Sequence, residues 1–133
     1  MATPFDVFLV TPEREVWSGR ATIVVARGTE GEVGILAGHT PLLIELGISP
    51  LFITTEGGER VAAAVDGGFL HVVSEGLETR VDILAEHAEL GPEIDVERAR
   101  REAQEAERDL RERVDAGAAA RLARARVRLA LRS

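Results

Sequence analysis

The residue pattern changes at Pro92, and this change constrains the fold more than any other feature of the sequence. Before Pro92, short runs rich in β-branched residues alternate with turn residues. After it, residues 93–133 contain no proline and a single glycine, Gly117. β-Branched runs favour strands, whereas a long stretch almost free of glycine and proline favours helix. The chain is therefore predicted to have a β-rich body, residues 1–88, followed by a helical tail, residues 93–133.

The body is predicted to be an antiparallel β-sandwich or barrel. Turn signals such as Gly57-Gly58 and Gly67-Gly68 separate its apolar runs at intervals of about 8–12 residues, which is typical of all-β folds and not of βαβ units. Gly57-Gly58 is predicted to close a tight hairpin. The strand-like runs are 5–10, 21–27, 50–55, 60–66, 68–74 and 79–85.

The tail is predicted to be two helices joined by a short turn. Asp95 is the expected N-cap of the first helix, and Gly117 the expected C-cap at its end. One face of each helix repeats apolar residues at steps of three or four, as helical periodicity requires. These residues are Ala99, Ala103, Ala106, Leu110 and Val114 in the first helix and Ala118, Leu122, Ala125 and Leu129 in the second.

The helical hairpin has little large apolar surface, because alanine dominates its apolar faces. Burying one large apolar side chain stabilises a fold by about 1.5–3 kcal/mol. Ordering the backbone costs about 1–2 kcal/mol per residue. The hairpin is therefore predicted to need a surface to dock on, and more than one such surface can serve.

Charge and composition exclude several classes of chemistry. All 16 basic residues are arginine and there is no cysteine. The chain thus lacks a Walker lysine, a Schiff-base lysine, a thiol nucleophile and zinc-thiolate ligands. No apolar run approaches the roughly 18 residues of a membrane span, and Asp6 interrupts the N-terminal apolar stretch, which disfavours a signal peptide.

The segment GEVGILAGHTPLL, residues 31–43, matches neither a Walker loop nor a dinucleotide-binding fingerprint. Its glycines can simply form turns, with His39 an ordinary loop residue. Alternatively it is a contact loop with Glu32 and His39 as exposed polar tips. The apolar residues expected to be exposed or half-buried beside these tips are Val33, Ile35 and Leu36.

The last 18 residues, 116–133, contain no acid and 5 arginines, whereas residues 1–92 contain 14 acids and 5 arginines. Arg121, Arg124 and Arg128 share one helix face, which is either solvated or suited to phosphate or an acidic partner. One functional alternative is an acidic β-sandwich that presents a basic hairpin to nucleic acid or polyphosphate. The net charge of −7 disfavours nucleic acid.

Three segments in this order resemble the epsilon subunit of the bacterial F-type ATP synthase. They are residues 31–43, the run VDGGFL at 65–70, and Ala85-Glu86 followed by IDVERA at 94–99. The resemblance covers essentially the whole chain. It implies a ten-stranded β-sandwich followed by a helical hairpin.

The resemblance also implies a function. The family is a non-catalytic part of the central stalk, bound to the gamma subunit and the c-ring at the cytoplasmic face of the bacterial membrane. It turns with them as protons drive ATP synthesis. The hairpin either folds on the sandwich or extends to the alpha/beta head and restrains hydrolysis. By this resemblance, residues 31–43 would face the c-ring and gamma, and Arg121, Arg124 and Arg128 the acidic head.

Some members of this family bind regulatory ATP in the folded hairpin. The positions of this chain that match that site are Glu89, Ile94, Asp95, Arg98, Ala99, Arg124 and Arg128. At position 105 the nucleotide-binding members have an arginine, whereas this chain has Glu105, which would oppose a triphosphate.

Overall fold

The computed structural model describes residues 2–112 and 115–132. Val114, predicted on the seam of the first helix, lies outside the described residues. The strands are β1 Phe5–Val10, β2 Glu15–Gly28, β3 Gly31–Ile35, β4 Leu42–Thr55, β5 Arg60–Glu75 and β6 Glu78–Leu90. A short 3-10 turn, Gly91–Glu93, then leads to helices α1 Val96–Glu112 and α2 Ala116–Arg132.

The strands form one sheet that closes on itself. Its order is β1-β6-β5-β4-β2-β3, and β1 also pairs with β2. The closed sheet surrounds an apolar core to which β1 contributes Phe5, Val7 and Leu9, the alternate residues of that strand. The prediction of a β-sandwich followed by a helical hairpin is confirmed. The prediction that all strands are antiparallel is wrong at one pair, because the distant β1 and β6 run parallel.

The strands are longer and fewer than the predicted ten or so, because some expected turns lie inside strands. Gly67-Gly68 was one such expected turn, and it lies within the 16-residue strand β5. Gly68 has a φ of 117°, and a Cβ there would stand 2.1 Å from the Leu84 carbonyl oxygen. Glycine at this position lets β5 pass close to β6 while both keep their pairing. The Gly57-Gly58 turn, in contrast, joins β4 and β5 as predicted, with the Gly58 N–H donating to Thr55 O at 2.9 Å.

Aspartate side chains cap both helices. Asp95 Oδ1 accepts a hydrogen bond from the Arg98 N–H at 3.1 Å, as the sequence predicted. Asp115 Oδ1 accepts from the N–H groups of Gly117 and Ala118 at 2.9 and 3.2 Å. The prediction of Gly117 as a C-cap is therefore wrong, because the aspartate two residues before it starts the second helix and places Gly117 in its first turn.

The hairpin has a small apolar core of its own. Ala103 and Ala106 of α1 pack against Leu122 and Ala125 of α2, with Leu129 beside them. This cluster is separate from the core enclosed by the sheet. Such a core stabilises the pairing of the two helices but leaves their attachment to the sheet to other contacts.

Candidate functional site

Helix α2 lies against β4 and β5, and two of its arginines pair with carboxylates of the sheet. Arg124 Nε donates to Asp66 Oδ2 on β5 at 2.5 Å. One helical turn later, Arg128 Nε donates to Glu89 Oε1 on β6 at 3.1 Å. The interpretation of this arginine face as simply solvated is therefore wrong for Arg124 and Arg128, since both pair with carboxylates of the body. The sequence alone does not show which carboxylates of the strands pair with these arginines.

Arg121, the third arginine of this face, has a different environment. Its Nη2 donates to Asp109 Oδ2 of α1 at 2.8 Å and lies 3.8 Å from Asp115 Oδ2. Both partners belong to the hairpin, so Arg121 joins the two helices to each other and not to the sheet.

The linker, residues 91–95, is held from two sides. From the end of α2, Arg132 Nη1 donates to the carbonyl oxygens of Gly91 and Ile94, each at 3.1 Å. From the body, Arg14 Nη2 donates to both carboxylate oxygens of Glu93 at 2.9 Å. The linker thus has one polar anchor in helix α2 and another in the body.

Glu93 is the centre of the second anchor. The Arg14 guanidinium lowers the pKa of Glu93, and a hydrogen bond from the Leu90 N–H, 2.9 Å away, lowers it further, against a smaller opposing effect of burial. The pKa of Arg14 is raised chiefly by the same hydrogen bond. The charged forms of both side chains are therefore favoured in the folded chain.

A cavity of about 90 Å³ lies where the two helices meet β6. Several residues predicted for the nucleotide site line this cavity: Glu89, Asp95, Arg98, Ala99 and Arg128. Ile94 is buried beside it and Arg124 lies one turn away on Asp66, and neither lines the cavity. The fold therefore brings Arg128 of α2 to four residues that lie much earlier in the chain, between positions 89 and 99.

Glu102, which the sequence reasoning missed, also lines this cavity. Its Oε1 accepts from Arg98 Nε at 3.0 Å, and its Oε2 accepts from Arg128 Nη1 at 3.5 Å. Glu105, the residue expected to oppose a triphosphate, is exposed and does not line the cavity. The spacing of four residues between Arg98 and Glu102 was the available signal, because such a pair meets on one helix face.

A volume of about 90 Å³ is well below the roughly 300–1,000 Å³ of sites that enclose a small organic ligand. A second cavity of about 140 Å³ lies on the other side of Arg128, lined also by Asp66, His87 and Arg124. The cavity beside Glu102 is therefore too small to enclose a nucleotide, and the Glu102 carboxylate lies between its two arginines.

The corner segment, residues 31–43, presents only part of the expected surface. Glu32 is exposed and Leu36 is 55% exposed, whereas Val33 is half-buried. The prediction that Ile35 is exposed or half-buried is wrong, because its exposure is 0%. Ile35 pairs with Val24 of β2 and faces the core, since side chains alternate between the two faces of a strand.

His39 is half-buried and was expected to be exposed. Its carbonyl oxygen accepts a 2.6 Å hydrogen bond from Ser74 Oγ. The neighbouring Gly38 N–H donates to Thr79 Oγ1 at 2.7 Å. These bonds attach the corner to the β5–β6 turn, where Leu77 is also exposed. Hydrogen bonds to β5 and β6 therefore hold the corner in place.

A second apolar surface lies on the body. Phe69 of β5 and Leu84 of β6 are both at least half exposed and border an open groove with Val10 and Pro12. Clustered exposed apolar side chains of this kind mark contact surfaces more often than isolated ones do. Within residues 2–112 and 115–132, no group of three potential metal-ligating side chains occurs. The same part of the chain has no helix long and apolar enough to span a bilayer.

The protein family described as ATP synthase, Delta/Epsilon chain, beta-sandwich domain, matches residues 4–91. The ATP synthase epsilon chain of Thermobifida fusca is 51% identical over 126 residues, covering 92% of this chain and 88% of that relative. The chain belongs to the ATP synthase epsilon chain family. The resemblance identified from the three sequence segments is thereby confirmed.

Other members of the epsilon-chain family are similarly close. The ATP synthase epsilon chain of Streptomyces avermitilis is 48% identical over 106 residues, covering 80% of this chain and 82% of that relative. Among solved structures, a cryo-EM structure of the Euglena gracilis mitochondrial ATP synthase, OSCP/F1/c-ring, contains a similar chain. It has a TM-score of 0.70 and 27% identity, covering 92% of this chain and 73% of that one.

Proposed function

We propose that this member of the epsilon-chain family is a non-catalytic subunit of the central stalk of a bacterial proton-driven ATP synthase. It binds the gamma subunit and the c-ring, turns with them, and lies peripherally at the cytoplasmic face of the cell membrane. The identity to bacterial epsilon chains and the similarity to a chain of an F1/c-ring assembly support this proposal. The corner around Glu32 and Leu36 is the proposed contact with the c-ring and gamma, with Val33, Ile35 and His39 as its support.

The hairpin is proposed to act as a movable brake on ATP hydrolysis. The observation that supports this role is the polar attachment of α2 to the sheet, through Arg124–Asp66 and Arg128–Glu89. Because the hairpin and the body have separate apolar cores, the hairpin can leave without opening the core of the body. Arg124 and Arg128 would then lose their carboxylate partners on the body and could join Arg121, which pairs within the hairpin, against the acidic surface of the alpha/beta head.

A chain that ends at Gly91 tests the brake. Membranes assembled with it are expected to keep proton-driven ATP synthesis and to hydrolyse ATP faster than membranes with the full chain. The control is a full-length chain at matched abundance in the same membranes. Equal hydrolysis rates in the two preparations would show that the hairpin does not restrain the complex.

We also propose that the cavity between Arg98 and Arg128 takes phosphate groups of regulatory ATP, with Glu89, Asp95 and Ala99 around it. Two guanidinium groups of different helices converge there, and such groups bind phosphate through charge-assisted hydrogen bonds. Arg98→Ala is expected to weaken ATP binding about tenfold in calorimetry, since hydrogen bonds to charged groups contribute about 1.5–3 kcal/mol each. The matched control is Arg100→Ala, which removes an arginine of the same helix that pairs with Glu97. Identical isotherms for the two variants would reject this site.

A further inference from the structure

Glu102 connects three elements through a continuous series of charged contacts. On α1, its carboxylate pairs with Arg98 at 3.0 Å. Across the cavity, it pairs with Arg128 of α2 at 3.5 Å. Arg128 in turn pairs with Glu89 of β6 at 3.1 Å. The contacts therefore run from Arg98 and Glu102 on α1, through Arg128 on α2, to Glu89 on the body.

The contact between Glu102 and Arg128 is partly shielded from water. The side chains of Arg128 and Glu102 are 30% and 35% exposed. By comparison, Arg100 and Glu97, another ion pair on α1, are 54% and 71% exposed. Shielding strengthens charge–charge attraction and raises the cost of leaving a partner without a counter-ion. Removal of Glu102 should therefore be felt more strongly than removal of Glu97.

Arg128 is the more shielded of the two arginines, at 30% exposure against 71% for Arg98. Glu89 serves Arg128 alone, whereas Glu102 is within ion-pair distance of both. Its two oxygens bind one guanidinium each, as two oxygens of a phosphate group would. The carboxylate thus occupies the position in which an incoming anion would find both donors.

We propose that Glu102 acts as an internal anionic ligand, which closes Arg98 and Arg128 over the cavity and holds the hairpin folded when no nucleotide is bound. This inference rests on the proposed phosphate site only for its second consequence, namely that an entering phosphate group must displace Glu102. The same carboxylate then has two effects. It stabilises the folded hairpin, and it lowers the affinity of the cavity for anions.

The experiment measures the separation of the two helices and ligand binding in the full chain. Because the chain has no cysteine, Gln104→Cys and Ala119→Cys introduce one spin-label pair, at exposed positions of α1 and α2. The distance distribution between the labels reports whether the hairpin is folded. It is compared for the otherwise unchanged chain, for Glu102→Gln and for Glu97→Gln, which loses a carboxylate and one unit of charge on the same helix.

In buffer without phosphate, Glu102→Gln is expected to lower the ratio of folded to open hairpin several-fold, whereas Glu97→Gln leaves it unchanged. Inorganic triphosphate is expected to restore the folded hairpin in Glu102→Gln and to bind that variant about tenfold more tightly than the unchanged chain. Equal folded fractions of Glu102→Gln and Glu97→Gln without ligand would overturn the inference. Opening that triphosphate does not reverse would support the role of Glu102 in holding the hairpin folded and reject the proposed phosphate site instead.

Discussion

Arg124 on α2 donates a 2.5 Å hydrogen bond to Asp66 on β5, joining two residues that are 58 positions apart in the chain. Their side chains are 37% and 20% exposed, so the pair is less screened than the other ion pairs of the body. It lies between the part of the molecule proposed to stay on the stalk and the part proposed to move.

The Asp66–Arg124 pair is predicted to control how often the hairpin undocks. Asp66→Asn removes the charge and keeps the shape, and is expected to shift the docking equilibrium by about 1 kcal/mol toward the undocked form. Limited trypsin digestion should then cleave α2 several-fold faster. The matched control is Asp82→Asn, which breaks the Arg80–Asp82 pair on β6 and should leave the cleavage rate unchanged.

An exchange of the two charges gives a stricter check of the same pair. Asp66→Arg combined with Arg124→Asp is expected to recover much of the docking that each single change loses, measured by the distance between spin labels at Glu59→Cys on the β4–β5 turn and Ala119→Cys on α2. Recovery measures the coupling between the two side chains, because effects outside the pair cancel in a double-mutant cycle. Additive losses would mean that the two residues act independently.

The Arg14–Glu93 pair is predicted to make stability depend on acid pH. The pKa of Glu93 is lowered from its ordinary value of 4.5, so the unfolded chain binds this proton more readily than the folded chain does. The contribution is therefore present above the ordinary pKa and is lost as pH falls through the lower folded pKa. Thermal unfolding should show the native chain more stable than Arg14→Gln at neutral pH, with the difference shrinking below about pH 4.5. A difference in Tm that stays constant with pH would contradict the ion pair.

Gly68 is predicted to be required for the passage of β5 beside β6. Gly68→Ala places a Cβ against the Leu84 carbonyl at a φ that disfavours side chains, and should destabilise the body by at least about 2 kcal/mol in urea unfolding. Gly47→Ala is the control, because a Cβ at that position of β4 meets nothing within 4 Å. It should change stability by no more than about 0.5 kcal/mol.

Glu32 is predicted to act at a subunit contact and not in folding. Its exposed carboxylate lies 3.9 Å from Arg27, a surface pair that contributes little to stability. Glu32→Arg should therefore leave Tm within a degree or two of the native value while lowering proton-driven ATP synthesis by assembled membranes. The control is Glu59→Arg, which makes the same charge change on the turn between β4 and β5. Equal synthesis with both variants would remove Glu32 from the proposed contact.

Local sequence patterns were enough to predict the division at Pro92, the hairpin at Gly57-Gly58, the cap at Asp95 and the alanine seam between the helices. Each of these depends on residues within a few positions of one another, and so on backbone conformation, turn chemistry and helical periodicity. The same patterns, with three short segments, sufficed to identify the family. The resemblance to that family also implied most of the residues that line the cavity, although not the contacts that these residues make.

Tertiary packing decided the features that local patterns predicted wrongly or left open. Gly67-Gly68 has the composition of a turn, yet pairing with β4 and β6 on both sides keeps β5 continuous. Ile35 lies in a loop-like stretch, yet the register of β3 against β2 turns it into the core. Glu102 could have paired on the helix surface alone, but α2 brings Arg128 to it across the cavity. In each case the deciding contact joins residues distant in sequence, and the free energy of those contacts outweighs the weak preference of the local chain.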